Sequence, residues 1–165
     1  MRPASTGLPR TSSPEAAEGT ATARPGSMTD FLDFVSRGGI ASSAPLVIGP
    51  ASACLDRFTA HFNACDLVGM DAELHFPHVL VSGAEVLVWD VPGQHPEDFF
   101  DRLRASGWRE SRYEAKEPVL ATEDKVHFVV TYTRRGEGGV VLSTHRNLWI
   151  VTRKSGRWGI TLRSY

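Results

Sequence analysis

Pro77 divides this chain into two kinds of pattern. Upstream of it, apolar residues recur at helical spacing. A proline lacks the amide hydrogen that would continue a helix, and its ring clashes with the preceding turn. Downstream, residues 78–81 and 85–89 are two β-rich runs flanking Ser82-Gly83-Ala84, a hairpin signal. Two histidines, His75 and His78, bracket the Phe76-Pro77 junction. The stretch LHFPHVLVSGAEVLVWD therefore predicts a switch from helices to a sheet, with polar groups at the joint.

On the helical side, Leu55, Phe58, Phe62 and Cys65 form a stripe, and Ser52 is a candidate N-cap. Cys54 and Cys65 read as small buried hydrophobes. Asn63-Ala64-Cys65-Asp66 breaks the run, and Asp66 caps a second helix predicted over residues 67–74. His75 then falls in its last turn, where the helix dipole favours a cation. On the sheet side, Pro92 and Gly93 mark a loop, and Pro96 opens a third helix that Gly107 ends. Four strands follow, over residues 108–121, 125–135, 140–153 and 157–165, joined mostly by short turns. An antiparallel meander is their economical topology. Glu114 to Glu117 is a polar stretch with the look of a solvated bulge.

Length and charge narrow the class. A chain of 165 residues fits one domain, and a net charge of −1 gives no electrostatic reason to expect nucleic acid. Its two cysteines form no C-x-x-C pair, which argues against a disulfide scaffold or a zinc site. No apolar run approaches the roughly 20 residues of a membrane span, and Arg2 and Arg10 precede no apolar signal core. The expected location is the cytoplasm, without membrane or nucleic-acid partners. Residues 1–27 hold one leucine and no aromatic residue, so they read as a disordered tail, and Met28 is an alternative translation start. Residues 28–50 read as a leading helix and loop, with Gly38 and Gly39 stopping the helix; they either cover an open end of the fold or act as a lid. Residues 51–165 form the domain proper.

The order helix, helix, hairpin, helix, four strands, with FNACDLVGM at the helix break and WIVTRKSGRWGI in the closing hairpin, resembles the nuclear transport factor 2-like superfamily. That group includes ketosteroid isomerases, SnoaL-like polyketide cyclases and limonene epoxide hydrolases. The resemblance implies an α+β fold: a cone-shaped, curved antiparallel β-sheet wrapped around N-terminal helices, in the order α-α-β-β-α-β-β-β-β. It also implies an apolar pocket and a homodimer through the outer sheet face. It does not carry an active site across. Ketosteroid isomerases place an acidic base in the strand after the second helix, and here that strand is HVLVSG. Phe58 and Phe62 stand where their tyrosine would be wanted, and the Asp-Arg-Asp set of the epoxide hydrolases is not evident.

The residues themselves supply candidates. His78 starts the strand that lines the cone in that family, and His145 lies in a central strand; an unperturbed histidine titrates close to neutrality, as an acid–base catalyst requires. His145, Asn147 and Trp149 share one parity of residues 140–153, and Tyr132 lies on the neighbouring strand. If that face is concave it joins a base, an amide and an aromatic wall; if convex it is a dimer face and Arg146 points inward. A polar residue among apolar ones in a central strand needs a partner, which favours the first. Candidate catalytic residues are thus His78 and His145. Candidate substrate-binding residues are Tyr132, Asn147, Trp149, Trp89, His75 and Phe62. For each singly the structural alternative is ordinary: a histidine satisfied by backbone or water, a tryptophan in a core wall. Two histidines without a third ligand do not make a metal site, and no cofactor is expected. The function implied is binding of a hydrophobic carbonyl-bearing or polycyclic small molecule, with cofactor-independent isomerisation, cyclisation or hydration. The alternative is a non-catalytic ligand-binding or dimeric assembly module.

Overall fold

The computed structural model describes residues 28–36 and 44–165. The expected tail over residues 1–27 and the glycine stop at Gly38 and Gly39 lie outside the described residues. The chain divides into two units, Met1–Arg37 and Gly38–Tyr165. In the first, α1 (Met28–Ser36) is a nine-residue helix. All that follows concerns the second.

Helix α2 (Ala44–Asn63) begins well before Ser52, so the loop expected up to residue 50 is largely helical. Pro50 sits in its second turn, where little of the helix ladder precedes it. Val47, Ala51, Cys54, Leu55 and Phe58 are its buried side, the same stripe the spacing predicts, extended by two turns. Asn63 ends the helix with a reciprocal clasp: its Nδ2 donates to Ser111 O at 2.9 Å, and its Oδ1 accepts from Ser111 N at 2.8 Å. Asp66 caps α3 (Leu67–Ala72) by accepting from Gly69 N at 2.9 Å. Any side chain at Gly69 would run into the His61 ring and the Asp66 carboxyl group.

Helix α3 stops two residues earlier than its apolar spacing suggests. Leu74 already belongs to β1 (Leu74–Ser82), so His75 is a strand residue and the helix-dipole argument for it does not apply. Its Nδ1 faces Thr152 Oγ1 at 2.9 Å, and its ring lies against Gly159, where a Cβ would come within 2.7 Å. Pro77 lies in β1 where the pairing with β6 slips between Leu74 and Val79, a place that needs no ladder donor. The hairpin partner is β2 (Glu85–Trp89), followed by a loop and α4 (Phe99–Ala105).

The remaining strands are β3 (Glu110–Ala121), β4 (Lys125–Arg135), β5 (Val141–Lys154) and β6 (Arg157–Ser164). They form the antiparallel meander, and the sheet order is β2-β1-β6-β5-β4-β3. The sheet has one parallel seam, between β1 and β6, which joins the hairpin to the meander. The register of β3 slips between Tyr113 and Ala115, so the polar stretch at Glu114 does bulge. Val126, Phe128 and Val130 of β4 and Trp149 and Val151 of β5 face α2 and are buried. The parity of β5 is thereby settled: the face that carries Asn147 and Trp149 turns inward, and Arg146 turns out. Phe62 anchors the far end of the core, edge-to-face with Phe99, Phe100 and Trp108 at 5.4–5.9 Å. Among the described residues no helix is long and apolar enough to cross a membrane.

Candidate active site

A cavity of about 340 Å³ opens between α2, α3, the loop before α4 and the concave face of the sheet. Phe58, Phe62, Met70, Leu80 and Phe99 give it an apolar wall. That size and polarity suit a small hydrophobic molecule. Three polar groups at or behind this wall bear on its chemistry.

The first is Arg163 of β6, 5% exposed. It pairs across the sheet with Trp149 on one side and Leu80 on the other, all three lining the cavity. Strict alternation from Ile160 would put Leu162 inside and Arg163 outside. The register slips by one residue at Thr161: Val151 faces Ile160, and its neighbour Ile150 faces Leu162. That bulge turns Arg163 inward. Its guanidinium lies over the rings of Phe58, Trp149, Trp89 and Tyr165 at 5.1–6.0 Å.

The second feature is His78, fully buried behind Arg163. Arg163 Nε donates to His78 Nε2 at 3.0 Å, and His78 Nδ1 donates to Ile160 O at 3.0 Å. Both ring nitrogens are thereby used, and only the neutral Nδ1–H tautomer satisfies both bonds. Burial, reinforced by the Arg163 charge, pushes its pKa down to about 3. Such a histidine orients a neighbour; it has no free nitrogen to offer a substrate.

The third is His95, from the loop before α4. Its side chain is 4% exposed, lines the cavity, and packs against Trp89 with the rings tilted by 58° and their centroids 4.3 Å apart. Its Nδ1 lies 3.2 Å from Oδ1 of Asp71 in α3, close but off the line of a good hydrogen bond. Asp71 is fixed from the other side, where Oδ2 accepts from Gly93 N at 2.7 Å. Burial holds His95 below its ordinary pKa and Arg163 acts in the same direction, while Asp71 opposes both. The loop and α3 thus bring a cavity-lining histidine together with a carboxyl group that lies off the lining.

The other sequence candidates divide. Tyr132, Trp149, Trp89 and Phe62 line the cavity. His145 does not; it stacks on Tyr132 at 4.8 Å with its Nε2 2.8 Å from Ser143 Oγ. Asn147 is buried beside that group, with Nδ2 unpartnered, and also lies off the lining. His75 is on the far side of the sheet, against Thr152. Burial raises the phenols of Tyr113 and Tyr132, so both remain protonated donors in neutral solution. Among the described residues, no group of three or more histidine, cysteine or acidic side chains could hold a metal ion.

Comparisons with known proteins bear on the fold. No family model matches the chain, and no curated protein matches its sequence. Solved structures do. A ketosteroid isomerase assigned as such provisionally, from Shewanella frigidimarina, superposes with a TM-score of 0.55 at 16% identity, over 70% of this chain and 93% of that one. A protein of unknown function with a cystatin-like fold from Nostoc punctiforme gives 0.54 at 14%, over 76% and 91%. A nuclear transport factor 2-like protein from Cytophaga hutchinsonii gives 0.50 at 15%, over 68% and 90%. The chain has the nuclear transport factor 2-like fold. At these identities the likeness extends to architecture and not to chemistry. Within that nuclear transport factor 2-like architecture, Arg163, His95 and Asp71 are the residues that sequence reading missed. Arg163 was hidden by the bulge, and His95 by a Pro/Gly loop that reads only as punctuation. Asp71 and His95 are separated by the whole hairpin, so no spacing links them.

Proposed function

We propose that the cavity binds a hydrophobic carbonyl compound and that His95, backed by Asp71, moves a proton on it without a cofactor. The reaction class is isomerisation, cyclisation or hydration. The observation that carries this reading is a buried histidine on the cavity wall with a carboxyl group, itself fixed by a backbone amide, at its other nitrogen. A neutral imidazole with its proton on Nδ1, the nitrogen 3.2 Å from Asp71, keeps its Nε2 lone pair available as a base. Tyr132 is the candidate donor to the developing oxyanion. The acid–base role expected of His78 and His145 is better given to His95, because the first has both nitrogens engaged and the second lies off the cavity.

The test is deuterium exchange at the α-carbons of a panel of enolisable aryl and cyclic ketones, followed by proton NMR. Exchange above the buffer rate is expected, falling about a hundredfold or more in His95→Gln. A panel that never exceeds buffer, or a variant as fast as the parent, would refute it.

We also propose that two copies pair through the outer sheet face. Leu120, His127, Ile150 and Leu162 form one cross-strand row there, and Val129 and Leu148 part of the next.

A further inference from the structure

The geometry points to a carboxylate as the polar group of the ligand, seated on Arg163. This rests on the reading that the 340 Å³ cavity is the binding site, and it adds the ligand's charge to that reading.

Arg163 is a cation in an aromatic box, and among the described residues no carboxylate lies within ion-pair reach of it. Removing a charge from water without a counter-charge is costly, and the four ring faces compensate only part of that cost. Asp71, the acid beside the cavity-lining His95, already has one oxygen on Gly93 N and the other next to that histidine. His78 takes Nε of the guanidinium, which fixes the plane of the group and leaves its two terminal nitrogens. A planar fork of two donors matches the two oxygens of a carboxylate. The indole nitrogen of Trp149, the cross-strand neighbour of Arg163, is buried and also lacks an acceptor. This end of the cavity is rich in donors and short of acceptors, and it carries a positive charge that a neutral carbonyl group would leave uncompensated.

The rest of the wall defines the body of the ligand. Phe58, Met70, Leu80 and Phe99 suit an aryl or cyclic hydrocarbon skeleton. One cation fits a monoanion better than a phosphate dianion. Of the other two arginines in the lining, Arg112 is 3.2 Å from Glu110. The second, Arg134, has its Nε buried without a partner and is the rival seat. The ligand class is therefore a hydrophobic monocarboxylic acid, with its carboxylate on Arg163 and its apolar part against α2 and α3.

Calorimetric titration of the full chain tests this with benzoate, 2-naphthoate and 4-phenylbutanoate, against 2-naphthamide and phenyl phosphate. Saturable binding of at least one acid is expected. 2-Naphthoate should bind about tenfold or more tightly than its amide, the scale of a charge-assisted pair. That comparison needs no variant. Arg163→Met should abolish the preference for acid over amide, with circular dichroism confirming that it folds; Arg134→Met should keep it. The proposal is overturned if no acid binds saturably, if acid and amide bind alike, if phenyl phosphate binds tighter than the acids, or if the preference is lost in Arg134→Met instead. Failure here with deuterium exchange intact removes the carboxylate and leaves the proton-transfer reading. Loss of exchange with acid binding intact does the reverse.

Discussion

At the scale of single residues, the three histidines nearest the helix–sheet joint have distinct uses. His78 is spent on orienting Arg163, His75 is packed under β6, and His95 alone meets the cavity. Burial, foremost, lowers the pKa of His78 to about 3 and of His75 to about 4. In the unfolded chain both return to about 6.5. Between those values the unfolded state binds protons that the folded state refuses. Their contribution to stability is therefore complete above about pH 6.5 and is lost as the pH falls through about 4 for His75 and about 3 for His78. Each costs about 1.4 kcal/mol per pH unit in that window. The urea midpoint should fall as the pH drops from about 6.5 to about 4.5, with a shallower slope in His75→Gln. A midpoint flat over that range would mean that both rings accept a proton in place. Sequence alone placed His78 and His75 near the right joint but could not assign their roles. A histidine's use depends on what meets each nitrogen, and here those partners are Ile160, Arg163 and Thr152, more than seventy residues away.

At the scale of elements, most boundaries were legible, because apolar periodicity and turn residues carry them. The limits of β4 coincide with the expected ones, and α2 follows its predicted stripe. The misses have physical causes. The start of α2 was hidden by Pro50, which a helix tolerates in its early turns. The end of α3 was set by pairing of Leu74 with Ile160, a long-range contact that overrode local spacing. The clasp between Asn63 and Ser111 was equally invisible, since it links residues 48 apart. It ties the end of α2 to β3, the edge strand, and so fixes the mouth of the cone. Asn63→Ala removes two hydrogen bonds and strands backbone groups of Ser111, which is 8% exposed. A loss of about 1–3 kcal/mol is expected in urea unfolding. A change within about 0.5 kcal/mol would show that water replaces the clasp freely.

At the scale of the molecule, fold and site separate cleanly. The order of helices and strands follows from alternation and breaks in the chain, and the layering of helices on a curved sheet is what the resemblance to the nuclear transport factor 2-like superfamily implies. The site does not, because it is assembled from a helix, a loop and a bulged strand by the sheet's curvature. The outer face is a whole-molecule matter too. If two copies pair through the row containing Ile150, sedimentation equilibrium should give twice the chain mass, and Ile150→Asp should return it to one chain without unfolding it. A parent that sediments as a single chain at high micromolar concentration would exclude the pairing.

The bulge at Thr161 has a practical consequence for anyone engineering this pocket or aligning its relatives. Sidedness in β6 is carried by one surplus residue that is not part of the cavity lining. Libraries that vary every second position from Trp158 would mutate Leu162 and leave the arginine untouched. A sequence alignment that gives the surplus position no gap would match Arg163 to an outward-facing residue of a relative without the bulge. The reliable way to find its counterpart elsewhere is to superpose backbones and ask which side chain stands opposite Trp149, whatever its place in the alignment.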